Sequence, residues 1–570
     1  MNNISVFLRS RCAVLLGTSH LAGTVPTVSL HFDTSANEGK PLTAHLFYLM
    51  IMLLISCALI SEVRAAELVV QAGFEIKAFD VTGNSIFSFD KVQDAVAPFT
   101  GSGRTEADVE KARSALENLY HSAGYPAVTV NIPEQTLKDG VVKLQVIENR
   151  IGRVKITGNR YFTREKVMKD LPSLAPGEIL YLPKVQEEIG RLNRNQDIKV
   201  EPAISLGAEL GTIDVELKVQ DQLPVHGYLE LNNRASPDTT ELRLNAMIRY
   251  DNLWQKEHSL ALQYQMSPQD PSQVEVGGVS YVLPTPWQQD HQLAFFAIWS
   301  DSKTGFGEGF EVVGKGQIVG MRYAIPLPPY KLYNHNFTLG IDYKHFNESE
   351  GYTTPGGQTT ETPISYLPLS FSYNASLPDE WGGTTQFNVG LNMSFRGLVS
   401  DETEFELKRY MATANYLYAT MGIQRAQKLP WGMSLSAKVD GQLSDEPLID
   451  NEQYVAGGME NVRGYRESEA EGDNALHSMV ELSFANPFEK SKIGQWLQMR
   501  PFIFHDIAVL SIRDPLPAQS RGIKLEGVGA GLRGTMKRLE YELDWAVALN
   551  STSNTQSGDQ RVYFKVRAVF

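Results

Sequence analysis

The chain has 570 residues, 42% of them apolar, which is room for two to four domains with packed cores. Its mean hydropathy of -0.23 excludes a bundle of membrane-spanning helices, and a formal charge of -14 argues against nucleic acid as the main partner. The two cysteines, Cys12 and Cys57, fall before the expected mature start. A disulfide framework or a thiolate metal site is therefore not expected.

From the N-terminus, Leu46 to Ile60 (LFYLMIMLLISCALI) is the one segment apolar enough to target the chain. It has the length of a signal h-region, is short for a membrane helix, and is followed by the cleavage pattern Val63-Arg64-Ala65. Residues 1–65 read as a leader, with Met50 as an alternative start. Leu54-Ile55-Ser56-Cys57 also resembles a lipobox, although the apolar run continues past it.

Residues 70–221 contain an internal repeat. The stretch Phe74 to Asn84 matches Ile151 to Asn159, each closing on Gly-Asn, and Val141 to Val146 matches Ile213 to Val219. Thr105-Glu106-Ala107-Asp108 has an N-cap with early acids, and Val109, Ala112, Leu116 and Leu119 follow at helical spacing until Gly124 and Pro126. Val185, Ile189 and Leu192 mark the equivalent helix after Pro183. The expectation is two α+β modules, 70–149 and 150–221, each ordered strand, helix, helix, strand, strand.

From 222 to 570 the period becomes two. Phe387, Val389, Leu391, Met393 and Phe395 alternate with polar or small residues, as do Met433 to Val439, Tyr541 to Leu549 and Val562 to Phe570. Such strands suit a soluble sandwich or a membrane barrel. Short turns (Pro284-Thr285-Pro286), a long polar loop (Asn347 to Pro363), no long amphipathic helix and a final strand ending on aromatic Phe570 favour the barrel. A closed barrel satisfies its backbone within lipid.

Three blocks then stand out in order. They are Asn232-Asn233-Arg234 with Arg249 to Trp254 and His258-Ser259-Leu260, then Val462-Arg463-Gly464-Tyr465, then Phe504-His505-Asp506. With the tandem modules, they make residues 70–570 resemble two-partner secretion transporters of the ShlB/FhaC/HecB family, within the outer-membrane assembly-factor superfamily. The resemblance implies two periplasmic POTRA domains and an all-β transmembrane barrel of 16 strands. It places a lumen loop near 450–475 and pairs Arg463 with Asp506, beside Phe504 on the inner wall. In a wet lumen such a pair is worth about 1 kcal/mol, a weak latch, and more where desolvated. The same contact would equally serve a loop that only holds the barrel's shape.

The implied function is outer-membrane translocation, with or without activation, of a dedicated large exoprotein such as a haemolysin or adhesin. A general barrel insertase and a passive porin are the alternatives. The implied partners are the exoprotein client, outer-membrane lipid and, during biogenesis, the barrel assembly machinery, which would recognise a C-terminal signal containing Phe564 and Phe570. The chain is expected to be monomeric. The resemblance also brings an N-terminal plug helix, for which Ala66 to Gly73 leave no room.

Gly529-Ala530-Gly531-Leu532-Arg533-Gly534 matches a dinucleotide fingerprint without its strand–turn–helix context and reads as barrel strand. His505 falls on the face opposite Asp506, at the lipid interface. No enzyme, cofactor or metal motif is found.

Overall fold

The computed structural model describes residues 73–570 apart from 138, 238, 289, 302–303, 307–309, 313–314, 348, 351–359 and 518. The leader, its cleavage and lipobox readings and both cysteines lie outside the described residues, as does the centre of the 347–363 loop.

The first module places strand Ala78–Thr82 parallel to Val141–Glu148, which pairs antiparallel with Val128–Asn131. A short pair, Phe74–Ile76 with Gly101–Arg104, lies beside this sheet. Helices Phe89–Val96 and Glu106–Ser122 cover it. Thr105 and Asp108 form a reciprocal capping box at the start of the longer helix. Val109, Ala112, Leu116 and Tyr120 bury its inner stripe against Leu144, Val146 and Val128.

The second module repeats the plan. Strand Arg150–Thr157 runs parallel to Thr212–Asp221, and Ile198–Leu206 closes the sheet antiparallel at the other edge. Helices Arg164–Asp170 and Leu182–Leu192 cover it.

The repeated Gly-Asn has a physical cause. Gly83 and Gly158 adopt φ of 82° and 86°. A Cβ on either would stand 2.2 or 2.3 Å from the carbonyl oxygen of Val146 or Val219. Only glycine lets the chain turn while touching the neighbouring strand's backbone. A carboxylate at the end of that strand then gathers the turn's amides: Glu148 accepts from Ser85 and Ile86, and Asp221 from Arg160, Tyr161 and Phe162.

Beyond Val225 the chain forms one closed antiparallel barrel. It has 16 strands, counting Ile364–Tyr366 and Leu369–Pro378 as one strand that is interrupted at Leu367-Pro368 and pairs with Asn334–Phe346 throughout. The first strand, Val225–Asn232, closes against the last, Gln560–Val569. Backbone pairing at this seam runs from Lys565↔Asn232 to Val569↔Tyr228 and continues as mutual hydrogen bonds between Gly227 and Phe570. At its other end the Asn233 side chain replaces the ladder, donating to Val562 O and accepting from Phe564 N.

Alternation separates the faces. Ile503, Leu543, Trp545, Val562 and Val566 are exposed outward, whereas Phe502, Phe504, Asp506, Asp544 and Tyr563 are buried inward. The apolar face points away from the interior, as in a lipid-embedded barrel rather than a sandwich. Among the described residues no helix is long and apolar enough to cross a membrane.

The second module docks on the first barrel turn. Gln255 accepts from Thr163 N and donates to Tyr161 O, while buried Lys166 meets Glu257 at 2.7 Å. Asn252, Trp254, Gln255 and Glu257 all carry positive φ there, a strained turn held by the contacts it makes. The motif block Arg249 to His258 is therefore the module's landing site.

Gly158→Ala is expected to destabilise the second module by about 2 kcal/mol or more. Limited proteolysis of the full chain should show faster cleavage within 150–221 while the barrel stays intact. Unchanged cleavage would mean that the turn tolerates a Cβ.

Candidate functional site: a lumen loop clamped to the barrel wall

Between strands Ser434–Ser444 and Asn474–Ser483 the chain turns into the barrel. A short hairpin, Tyr454–Ala456 with Ala470–Gly472, carries the tip Gly457 to Glu469. Val462 and Tyr465 are fully buried, and Arg463 is 2% exposed.

Arg463 meets Asp506 through two parallel bonds, Nε to Oδ2 at 2.7 Å and Nη2 to Oδ1 at 2.9 Å, and its own amide adds a third at 3.1 Å. Its Nη1 reaches Glu481 at 3.2 Å and lies 3.7 Å from Asp544. The guanidinium carbon stands 3.4 Å from the centroid of the Phe504 ring. The F-x-D spacing follows from strand geometry, because residues two apart share a face. Phe504 supplies the π surface and Asp506 the carboxylate to one planar cation. A second cation, Arg533, bonds Glu481 at 2.5 Å and stacks 4.0 Å from the Phe502 ring.

The expectation of a weak, hydrated latch needs correction. Both partners are shut off from water, so the attraction is unscreened and the cost of separating them is set by desolvation. Removing one member of such a pair typically costs about 3–5 kcal/mol.

The neighbours of Arg463 fix the loop tip to other strands. Gly464 has φ of 108° and donates its amide to the Tyr563 hydroxyl at 2.9 Å. That hydroxyl donates in turn to Tyr465 O at 2.5 Å. The Tyr465 hydroxyl donates to Asn550 O at 2.8 Å and accepts from Glu526 N and Asn550 N. It bridges strands Gly522–Met536 and Leu539–Ala548 just past Gly527↔Ala548, where their ladder ends. Gly527 is needed for closeness, since a Cβ there would stand 1.8 Å from Arg463 O. Arg234 meets Glu467 at 3.0 Å and Glu460 at 2.8 Å, tying the loop to the extracellular end of the first strand.

The structure thus brings Val462, Arg463, Gly464, Tyr465, Phe504 and Asp506 into one cluster. Phe564 and Phe570 lie apart on the outer face of the last strand, Phe570 at the seam. His505 also points outward, 3.0 Å from Glu526. Sequence reasoning missed Glu481, Asp544 and Tyr563. Each sits at an inward position of an alternating strand, and that was the available signal.

A family model described as POTRA domain, ShlB-type, matches residues 74–149. One described as haemolysin secretion/activation protein ShlB/FhaC/HecB matches residues 359–534, which include the whole lumen loop and Asp506. The chain's first module and the middle of its barrel thus match the ShlB/FhaC/HecB type of two-partner secretion transporter. The chain is an outer-membrane protein-transport barrel with its POTRA domain in the periplasm.

Outer membrane transporter CdiB of Dickeya dadantii is 23% identical over 384 residues, spanning 65% of this chain and 65% of that protein. Heme/hemopexin transporter protein HuxB of Haemophilus influenzae is 17% identical over 488 residues, 83% of each chain. Among solved structures, CdiB from Escherichia coli superposes with a TM-score of 0.58 at 17% identity, covering 94% of this chain and all of that one. BamA from Haemophilus ducreyi lacking POTRA domains 1–3 gives 0.53 at 14% identity, covering 87% and 100%. These two likenesses bear on the fold.

Asp506→Asn should leave the barrel folded but free the loop tip, read as new protease sites within 457–469. The charge exchange Arg463→Asp with Asp506→Arg keeps opposite charges at the two positions. It should fail, because a carboxylate at 463 would face Glu481 and Asp544. Restored loop protection in the exchange variant would disprove this reading of the cluster.

Proposed function

We propose that this transporter moves one dedicated exoprotein across the outer membrane, and that the Arg463 cluster holds its lumen loop in the resting state. The observation that carries the proposal is the buried three-bond contact of Arg463 with Asp506 inside a barrel that opens onto tandem modules.

The client docks in the periplasm as an extended chain. The second module offers the free outer edge of strand Ile198–Leu206. Its distal half is exposed, with Leu206 at 86% and Leu210 beyond it fully open. An unpaired strand edge with apolar side chains adds an incoming strand through main-chain bonds. Pro202 lacks an amide and limits such pairing to part of the edge.

The client then threads the lumen. The loop tip is fixed at Arg463, Gly464 and Tyr465, so passage requires those bonds to be exchanged for others. With no nucleotide motif in the chain, folding of the client outside supplies direction. The barrel works as a monomer in outer-membrane lipid. Its exposed final strand, with Phe564 and Phe570, is the segment handed to the assembly machinery during biogenesis. The client's class, haemolysin or adhesin, and any activation step belong to this reading.

Mass spectrometry of supernatant and outer membrane, with and without the chain, tests it. Loss of one large secreted protein with other barrels unchanged is expected; broad depletion of outer-membrane barrels would favour an insertase instead. Arg463→Ala should lower secretion about tenfold or more with the barrel still inserted. Removal of residues 70–221 should abolish secretion and leave a heat-modifiable barrel.

A further inference from the structure

The loop at residues 395–415 does not stay outside the barrel. Its helix, Glu402–Lys408, is capped by Asp401, whose carboxylate accepts from Thr403 N and Glu404 N. The helix turns Phe405 inward to complete burial. Phe405 packs against Tyr366 at 5.6 Å and Tyr416 at 6.2 Å between ring centroids. Around it lie Phe296, Ile298, Ile318 and Phe346 from the facing strands, together with Leu448 and Ile449 at the root of the lumen loop. All these wall residues belong to the half of the barrel away from the modules. They form an apolar core inside the barrel, on the wall opposite the Arg463 cluster.

One buried carboxylate holds this core shut. Asp473 is 0% exposed and accepts five hydrogen bonds. Two come from Arg409, just after the helix, at 2.5 and 2.7 Å. The others come from Leu448 N at 2.8 Å, Gln453 Nε2 at 3.2 Å and Arg513 N at 2.7 Å. Arg409 also donates to Leu448 O, and to Arg513 O at 3.1 Å. Three separate extracellular connections thus meet at one side chain. A second buried acid, Glu452, joins the lumen loop to the wall, accepting from Tyr366 at 2.6 Å, Tyr418 at 2.8 Å and Lys344 at 2.5 Å.

We propose that helix Glu402–Lys408 is the outer plug of this barrel, with Phe405 as its stopper and Asp473 as the catch. The proposal rests on the transport reading, since a plug matters only if something must pass. The physical logic is an assembly with few intermediates. Apolar packing holds the helix in place, and all three connections share Asp473 as their common acceptor. Loss of that carboxylate leaves Arg409 buried without its counter-charge and two backbone amides unpaired, so the three connections separate together. Phe405 packs among residues of other strands than those that carry Glu481, Asp506 and Asp544, so it forms a second closure on a different part of the lumen.

Conductance of the full chain in planar bilayers tests this without reference to any client. Asp473→Asn and Arg409→Ala should each raise the open probability about tenfold or more, with heat-modifiable mobility retained. Replacing residues 401–412 by a Gly-Ser linker should give the same open state. As a converse arm, cysteines at Ser365 and Glu404, where Glu404 Oε2 meets Ser365 N at 3.4 Å, tether the helix. Oxidation should lower conductance and block secretion, and reductant should restore both. Parental conductance in the linker variant, or secretion through the oxidised tether, would overturn the plug. Raised conductance with no client secreted by the parent would keep the plug and sink the transport reading instead.

Discussion

Burying Arg463 constrains everything around it. An uncompensated guanidinium inside a protein is prohibitively costly, so its environment must supply charge, hydrogen bonds and a polarizable face together. Four inward positions on strands Asn474–Ser483, Leu497–Ser511 and Leu539–Ala548 do so, through Glu481, Phe504, Asp506 and Asp544. Gly527 must lack a side chain so that the loop backbone can lie against the wall. The register of neighbouring strands is thereby tied to one loop residue, because a slip of one position would turn Asp506 outward.

Asp544 is the uneven member of this set. It is fully buried, neither of its oxygens has a hydrogen-bond partner, and its nearest cation is Arg463 at 3.7 Å. Asp506 takes the bonds while Asp544 contributes only field. The arrangement keeps a second acceptor within reach of the same guanidinium.

The two ends of the barrel are built on different principles. At the periplasmic end, polar side chains of a strained turn grip the second module, and His226 of the first strand lies 2.9 Å from Asp197 of that module. At the extracellular end, apolar packing around Phe405 is locked by buried acids. The first strand joins these regions: it meets the module at one end, pairs with the last strand at the seam, and leads to Arg234, which holds the lumen loop. The second module and the lumen loop therefore touch the same strand.

Much of this was legible without coordinates. Period-two alternation marked Phe387–Phe395 and Val562–Phe570 as strands with an apolar outer face, and the Gly-Asn repeat marked two equivalent turns. Local steric rules and side-chain period are properties of the chain itself, so sequence alone determines them. The Val-Arg-Gly-Tyr and Phe-x-Asp blocks were visible as motifs. Their burial was not, because solvent exclusion depends on what other strands place opposite them. Glu481, Tyr563, Asp473 and Arg409 lie far apart in the chain and gain meaning only when barrel closure brings them together. The sequence by itself determined the modules, the strands and which face meets lipid; closure of the sheet decided what fills the lumen, because an interior exists only once the first and last strands pair.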